Sequence, residues 1–356
     1  MFFHILDIES GLCNLRCSYC FLTQGGIEET VRVGDELMSY HDGKLTHDYP
    51  VSVLLNNICR ILDSVEANVL VVLGGELFLL PEVLDFLVKR AYKYDKIRII
   101  TNGINLHKYD LSKLSPEKFC FQVSLDGASL QANKFRFPSE KTLEQIIENL
   151  HLLLKLGYIV EINCVLTTAN IEHLQDFAKY VKGNFPGVMI YPFPVRFFRG
   201  DLSINTENAK IIHRVLEDQE IADILPPRAY LEELLVAITG QRIVGCYLPL
   251  LAISGSEDGS INLCPCAMLK ARGNLLTEII APLELTMAAQ DARDVLNFEY
   301  RACKSCFTHF DIVNLFIENR ISESEMQKSG MFRDTLVFEA LKGYKEKILE
   351  QGGGLC

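Results

Sequence analysis

The sequence has no tryptophan, no run of basic residues and no apolar stretch long enough to cross a bilayer. Its formal net charge of −11 argues against nucleic acid as a partner, because phosphate-binding surfaces need clustered Lys and Arg. The first residues, MFFHILDIES, carry neither a basic segment nor a small-residue cleavage site, so we predict no secretion signal and a cytoplasmic location. We therefore expect neither a membrane nor a nucleic acid among its partners.

Twelve cysteines are the most informative part of the composition. Since the cytosol keeps thiols reduced, clustered cysteines there indicate metal ligands rather than disulfides. One group lies near the start, at Cys13, Cys17 and Cys20, and five more cysteines lie between Cys246 and Cys306. The cysteines that stand alone in apolar stretches are predicted to pack as small hydrophobic residues: Cys59, Cys120 and Cys164.

Short apolar runs alternate with amphipathic, helix-like segments through the first two hundred residues. Six runs are predicted to be buried strands: Phe3–Ile8, Val69–Leu73, Ile97–Thr101, Phe119–Leu125, Ile159–Leu166 and Val188–Phe193. This alternation predicts an α/β fold with parallel strands joined by right-handed crossovers. Periodicity alone leaves an open sheet and an incomplete barrel as alternatives.

Polar or glycine-rich segments follow four successive predicted strands. In chain order they are the cysteine loop, Gly74-Gly75-Glu76, Thr101-Asn102-Gly103 and Ser124-Leu125-Asp126-Gly127. Because the carboxyl ends of parallel strands meet at one edge, we expect these segments to form one site.

The segment CNLRCSYC spaces its thiols as C-x3-C-x2-C. Three thiolates from one tight loop can each bind one iron of a cubane cluster, which leaves one iron open to a small molecule with an amine and a carboxylate. A structural zinc site normally has four protein ligands, and this loop supplies three. Zinc with a distant fourth ligand and a coincidental spacing remain alternatives.

The CNLRCSYC loop after a first strand resembles the defining motif of the radical S-adenosylmethionine (SAM) superfamily. The resemblance implies a partial (β/α)6 TIM-like barrel over about residues 3–200, with a [4Fe–4S] cluster on Cys13, Cys17 and Cys20. In that family the reduced cluster cleaves SAM to a 5′-deoxyadenosyl radical, which takes a hydrogen atom from substrate.

The resemblance also implies individual cofactor-binding residues. The segment Gly74-Gly75-Glu76 resembles the GGE element whose backbone and acidic side chain hold the SAM ammonium, with glycines allowing close approach to the ligand. The other residues implied are Tyr19 and Leu166 near the adenine, Ser124 at the ribose or carboxylate, Arg136 at the carboxylate, and Asn102 and Asp126 at the same strand ends. Each element taken alone also fits an ordinary turn, strand end or surface charge.

The second cysteine group has the spacing C-x12-G-x4-C followed by a C-x2-C pair, which together offer four thiolates. Both tetrahedral zinc and a fully ligated Fe–S cluster fit such a set. The spacing resembles the auxiliary-cluster region of SPASM and twitch radical SAM enzymes. Because position 312 is isoleucine where the longer SPASM pattern continues with cysteine, the resemblance implies the shorter twitch form. It implies one auxiliary [4Fe–4S] cluster on Cys246, Cys264, Cys303 and Cys306. Cys266 and Cys356 receive no role.

These patterns predict four regions and a function. The regions are a radical SAM core (1–200), a helical linker (201–240), an auxiliary-cluster domain (241–310) and a helical C-terminal tail (311–356). The family resemblance favours modification of a ribosomally made peptide or protein, with a flavodoxin or ferredoxin supplying electrons. The full set of four auxiliary ligands predicts that the auxiliary cluster accepts an electron. We expect no N-terminal leader-binding domain, so a separate recognition protein or the helical tail would capture the peptide.

Two other functions remain open on sequence grounds. One is a radical SAM dehydrogenase of an aminosugar or alcohol, and the other is a non-catalytic Fe–S or zinc scaffold. No general base is assigned, because a structural role is expected for each of the candidate side chains: His4, His107, His173 and Tyr191.

Overall fold

The computed structural model describes residues 1–8, 12–20, 27–33, 36–41, 44–195, 201–262, 273–277, 303–304 and 306–352. The strands are β1 Phe3–Ile8, β2 Ile27–Val33, β3 Glu36–His41, β4 Lys44–Pro50, β5 Val69–Gly74, β6 Lys96–Thr101, β7 Phe119–Ser124, β8 Ile159–Leu166, β9 Met189–Pro194, β10 Ala252–Ser256 and β11 Ile261–Asn262. The α-helices are α1 Val51–Ser64, α2 Pro81–Arg90, α3 Glu140–Lys155, α4 Leu174–Asn184, α5 Ala209–Glu217, α6 Arg228–Ala237, α7 Leu248–Leu251, α8 Asp311–Ile317, α9 Glu323–Gln327 and α10 Thr335–Gly352.

The main sheet has the strand order β11-β10-β1-β5-β6-β7-β8-β9. Seven of these strands run parallel, and β11 pairs antiparallel with β10. The six predicted strands are confirmed as β1 and β5–β9, and the α/β class with them. Such strands are buried on both faces, which explains their continuous Val, Ile, Leu and Phe content.

Two parts of the sheet structure were not foreseen. Strand β10 pairs in parallel with β1, so that the sheet extends beyond the first predicted strand. Its sequence, AISGS, is short and poor in β-branched residues, so only the tertiary pairing reveals it. Between the cysteine loop and α1, strands β2, β3 and β4 form a separate antiparallel sheet.

The C-terminal segment is helical, as predicted, and it packs into the same core as the parallel strands. Val337, Phe338 and Leu341 on α10 are buried in one continuous hydrophobic cluster with the sheet. The ring of Tyr344 lies 5.9 Å from that of Phe2, just before β1. The last described helix therefore contributes to the stability of the barrel strands. Within the described part of the chain, no helix is both long and apolar enough to span a bilayer.

Candidate active site

A cavity of about 220 Å³ lies where the cysteine loop meets the carboxyl ends of the parallel strands. The predicted site residues on its wall are Cys13, Cys17, Tyr19, Cys20, Gly74, Gly75, Asn102, Ser124 and Arg136. Among the described residues that form this wall there is no Asp or Glu. The polar segments therefore converge at one edge of the sheet, as expected.

Backbone hydrogen bonds hold the cysteine loop in place. The N–H of Cys20 donates to the carbonyl of Cys17 at 3.0 Å, and the N–H of Ser18 donates to Phe135 O at 2.7 Å. The sulfur of Cys13 accepts from the N–H of Leu15 at 3.4 Å. The loop is thus folded on itself and tied to the segment after β7.

The three thiols lie close enough to influence one another's charge. Burial, with a smaller contribution from negative charge on the neighbouring cysteines, raises the pKa of Cys13 to about 11 and that of Cys17 to about 12. Buried thiolates that repel each other need a bound cation, and a metal supplies one. Within the described residues, no three His, Cys, Asp or Glu side chains converge as ligands of a single ion. A cubane does not require that convergence, because each thiolate binds a different iron, so the loop fits a [4Fe–4S] cluster.

The glycines of the GGE turn are required by close contacts with the end of β1 and the start of the cysteine loop. A Cβ on Gly74, which has φ +144°, would lie 2.2 Å from the carbonyl oxygen of Ile8, and one on Gly75 would lie 2.3 Å from that of Leu12. The N–H of Glu76 donates to Leu12 O at 2.7 Å. Glycine at these two positions therefore allows the turn to pack closely against the chain's own backbone.

The Glu76 side chain is not among the residues that line the cavity, and its role at the SAM ammonium stays a prediction. Its carboxylate is buried and accepts hydrogen bonds from Phe78 N at 3.1 Å, Thr101 Oγ1 at 2.8 Å and Asn102 N at 2.7 Å. Burial raises its pKa, and these donors oppose the rise. Glu76 therefore fixes the end of β6, and Asn102 then donates through its side chain to Asn14 Oδ1 at 2.7 Å.

A buried ion pair joins the loop to strands β7 and β8. Arg136 donates to Asp126 through Nε at 3.2 Å and Nη2 at 3.0 Å, and the hydroxyl of Tyr19 donates to Asp126 Oδ2. Asp126 Oδ1 also accepts from Val165 N at 3.0 Å. Asp126 is therefore a positioning residue behind the wall, while Arg136 and Tyr19 reach the cavity.

Leu166, which is predicted to lie near the adenine, and its neighbour Val165 lie on opposite faces of β8. Leu166 is fully buried in the hydrophobic core, whereas its neighbour Val165 lies on the cavity wall. Successive side chains of a strand point to opposite faces, and motif matching alone does not fix that register.

Several residues of the cavity wall were not predicted from the sequence. Asn163 on β8 lies on the cavity wall. Its polar side chain near the carboxyl end of a largely apolar strand was a usable signal. Thr308, His309 and Phe310 also lie on the wall, although more than a hundred residues separate them from the other wall residues. No local pattern could have placed them there.

The second cysteine group is described in part. Cys246, Cys303 and Cys306 are half-buried, and the N–H of Cys306 donates to Cys303 O at 3.3 Å. The predicted ligand Cys264 lies outside the described residues, as do Cys266 and Cys356. Since Cys306 precedes Thr308 by two residues, Cys306 lies close to the wall of the cavity.

Comparisons with known proteins agree with this geometry. Residues 10–181 match the family model described as the radical SAM superfamily. The antilisterial bacteriocin subtilosin biosynthesis protein AlbA of Bacillus subtilis (strain 168) is 23% identical over 274 residues, covering 72% of this chain and 53% of AlbA. Molybdenum cofactor biosynthesis protein 1 of Homo sapiens is 28% identical over 190 residues, covering 52% of this chain and 26% of that protein. The chain thus spans about half of the first relative and a quarter of the second.

The fold also has solved counterparts. The structure of native anSMEcpe with bound AdoMet and Kp18Cys peptide superimposes with a TM-score of 0.56 at 18% identity, covering 90% of this chain and 99% of that one. At this identity the likeness concerns the fold. Residues 10–181 are thus the part of the chain that resembles the radical SAM superfamily, and the fold agrees with that match.

Proposed function

We propose that this protein is a radical SAM enzyme of the twitch/SPASM type that oxidatively modifies a ribosomally made peptide or protein. The observation that carries the choice of substrate is the absence of Asp and Glu from the cavity wall formed by the described residues. An aminosugar brings a buried ammonium, which needs a carboxylate partner. A neutral peptide side chain needs none, and Ile5, Phe193 and Phe310 offer it apolar contacts.

Residues of this chain are suited to hold the cofactors. Cys13, Cys17 and Cys20 would bind the cluster, and Arg136 and Ser124 would contact SAM. When bound, the reduced cluster and SAM supply a 5′-deoxyadenosyl radical that takes a hydrogen atom from substrate. The chain's own contribution is orientation by the buried Tyr19–Asp126–Arg136 contacts and exclusion of water by the apolar part of the wall.

The second cysteine group would hold one auxiliary [4Fe–4S] cluster on Cys246, Cys264, Cys303 and Cys306, within a domain spanning about residues 241–310. Its place beside Thr308 suits it to accept the electron left when the substrate radical is oxidised. A flavodoxin or ferredoxin would supply the electron that starts the reaction. A cytoplasmic location is consistent with both clusters, since thiolate ligands persist in a reducing compartment.

The comparisons support a peptide substrate. AlbA is named for the biosynthesis of a bacteriocin, and anSMEcpe was solved with a peptide beside AdoMet. The C-terminal helix α10 packs against the core, so a separate recognition protein is the better candidate for capturing a leader peptide.

The test is anaerobic reconstitution with iron and sulfide, reduction, and incubation with SAM and with short peptides encoded beside its gene. We expect 5′-deoxyadenosine, a peptide mass change of two hydrogens or another net oxidation, and iron for two clusters. Cys17→Ala should abolish 5′-deoxyadenosine, whereas Cys59→Ala, which removes a cysteine that does not line the cavity, should not. Loaded, reduced protein that forms no 5′-deoxyadenosine would indicate a scaffold, and turnover of an alcohol or aminosugar but no peptide would overturn the proposed substrate.

A further inference from the structure

Aromatic rings line the side of the cavity that is formed by the end of β9 and residues 308–310. The ring of His309 lies 4.1 Å from that of Phe310 and 6.2 Å from that of Phe193, and all three side chains line the cavity. Phe310 also contacts the buried ring of Phe3, 5.3 Å away at an interplanar angle of 73°. Aromatic rings at such distances attract one another beyond the effect of the area that they bury. This side of the cavity is therefore suited to a further ring.

Asn163 places an amide deeper in the same cavity. Val165 pairs in register with Phe193, and Asn163 lies two residues nearer the amino end of β8. Since alternate residues of a strand share a face, all three side chains reach the cavity wall, and two residues of a strand span about 6.6 Å. The amide therefore lies below the ring of Phe193, toward the amino ends of the strands.

The side-chain amide of Asn163 is not satisfied within the described part of the chain. Its Oδ1 is buried and has no hydrogen-bond partner among the described residues. Buried polar groups are nearly always paired, so an exception indicates a partner from outside the chain. A half-turn about the last bond of the side chain exchanges Oδ1 and Nδ2, so the amide can offer the cavity an acceptor or a donor. A hydroxyl group both donates and accepts, and it pairs with the amide in either orientation.

The aromatic side of the cavity is the side left for substrate. SAM bound to the first cluster would lie beside the cysteine loop, where Arg136 and Ser124 would contact it. Asn163 lies at the border of the two sides, because it pairs in register with Ser124 on β7 and with Tyr191 on β9. The combination of rings and amide, rather than the amide alone, therefore identifies the occupant.

We propose that this side of the cavity binds a tyrosine side chain of the substrate, with its ring against Phe193, His309 and Phe310 and its hydroxyl paired with Asn163. The inference rests on the proposed function, because it takes the substrate to be a peptide. Leucine would lack the ring, and phenylalanine would lack the hydroxyl. Lysine or arginine would bring a charge that no carboxylate of the described wall balances.

The test is isothermal titration calorimetry on the full chain, loaded with iron, sulfide and SAM. The probes are three capped tripeptides, acetyl-Gly-Xaa-Gly-amide, in which the central residue is tyrosine, phenylalanine or leucine. We expect tyrosine to bind about two- to tenfold more tightly than phenylalanine, the usual effect of one hydrogen bond. Phenylalanine should exceed leucine by about two- to tenfold through its contacts with the rings.

Two variants separate the ring contacts from the hydrogen bond. Asn163→Ala should remove the advantage of tyrosine over phenylalanine and keep that of phenylalanine over leucine. Phe193→Leu should reduce the advantage of phenylalanine over leucine and keep that of tyrosine over phenylalanine. The matched controls change exposed residues and should keep both preferences: Asn184→Ala and Tyr92→Leu. The comparison of tripeptides in wild type needs no variant, so it decides the question if a variant does not fold.

The outcomes distinguish this subsite from the proposed function. Equal affinities of the three tripeptides for wild type, or no binding, would overturn the subsite. An Asn163→Ala variant that binds SAM more weakly but keeps the preference for tyrosine would assign the amide to SAM and also overturn it. Modification of a peptide that has no aromatic residue would overturn the subsite and leave the proposed function standing. Loaded protein that prefers the tyrosine tripeptide but forms no 5′-deoxyadenosine would support the subsite and overturn the proposed function.

Discussion

The backbone N–H of Met331 donates a 2.7 Å hydrogen bond to Glu161 Oε1, which joins the C-terminal segment to strand β8 across 170 residues. The same carboxylate accepts from Arg98 Nη2 at 2.9 Å and from Gln122 Nε2 at 3.3 Å. Glu161 lies near the amino end of its strand, so this network closes the end of the sheet opposite to the cavity. The C-terminal segment is therefore a structural part of the unit built on the parallel sheet.

We expect Glu161→Gln to lower the free energy of unfolding by about 3–5 kcal/mol, because it leaves Arg98 buried without its carboxylate. Urea denaturation at neutral pH measures the loss. The matched control is Glu232→Gln, which breaks an exposed pair with Arg228 and should cost about 0–1 kcal/mol. Similar losses in the two variants would mean that the network at the amino ends does not stabilise the fold.

We expect Gly75→Ala to prevent assembly of the first cluster, since the new methyl group would lie 2.3 Å from the carbonyl oxygen of Leu12. The loop must move away, and its cysteines with it. Iron content after reconstitution is the measurement. Gly183→Ala is the control, because no atom lies within 4 Å of a Cβ there and alanine in helix α4 should stabilise by about 0.5–1 kcal/mol. Full iron loading of Gly75→Ala would contradict the steric argument.

The sequence allowed the parallel strands and the residues at their carboxyl ends to be predicted, because buried apolar runs and polar strand ends are local patterns. Contacts made across the chain were not accessible in this way. The pairing of β10 with β1 and the place of His309 on the cavity wall depend on tertiary packing. The direction of the Glu76 side chain depends on its hydrogen bonds. The strand register decides that Val165, and not Leu166, lies on the cavity wall.

We expect Tyr19→Phe to lower the free energy of unfolding by about 1.5–3 kcal/mol, the usual contribution of a hydrogen bond to a charged acceptor. The phenol donates to the buried carboxylate of Asp126. Tyr109→Phe is the control, because its hydroxyl bonds to Asp85, an exposed carboxylate that water can satisfy. Thermal denaturation compares the two, and a larger effect in Tyr109→Phe would contradict the role given to Asp126.

We expect the protein to lose stability as the pH falls from 6.5 to about 4, in part through His4. Its ring is fully buried in β1, and among the described residues neither ring nitrogen has a hydrogen-bond partner. Burial, with repulsion from the N-terminal ammonium, lowers the pKa of His4 from 6.5 to about 4. Between these values the unfolded chain binds a proton that the folded chain does not, so acid favours unfolding by up to about 3 kcal/mol.

His4→Leu removes the imidazole that would bind this proton and fills its place with an apolar side chain. The free energy of unfolding of this variant should fall less steeply than that of wild type between pH 6.5 and pH 4, as measured by urea denaturation at several pH values. His213→Leu changes an exposed histidine on α5 and should leave the wild-type slope unchanged. Because the two variants remove the same titratable group from different environments, a difference in slope isolates the effect of burial. Equal slopes in wild type and His4→Leu would show that His4 keeps its ordinary pKa in the folded protein.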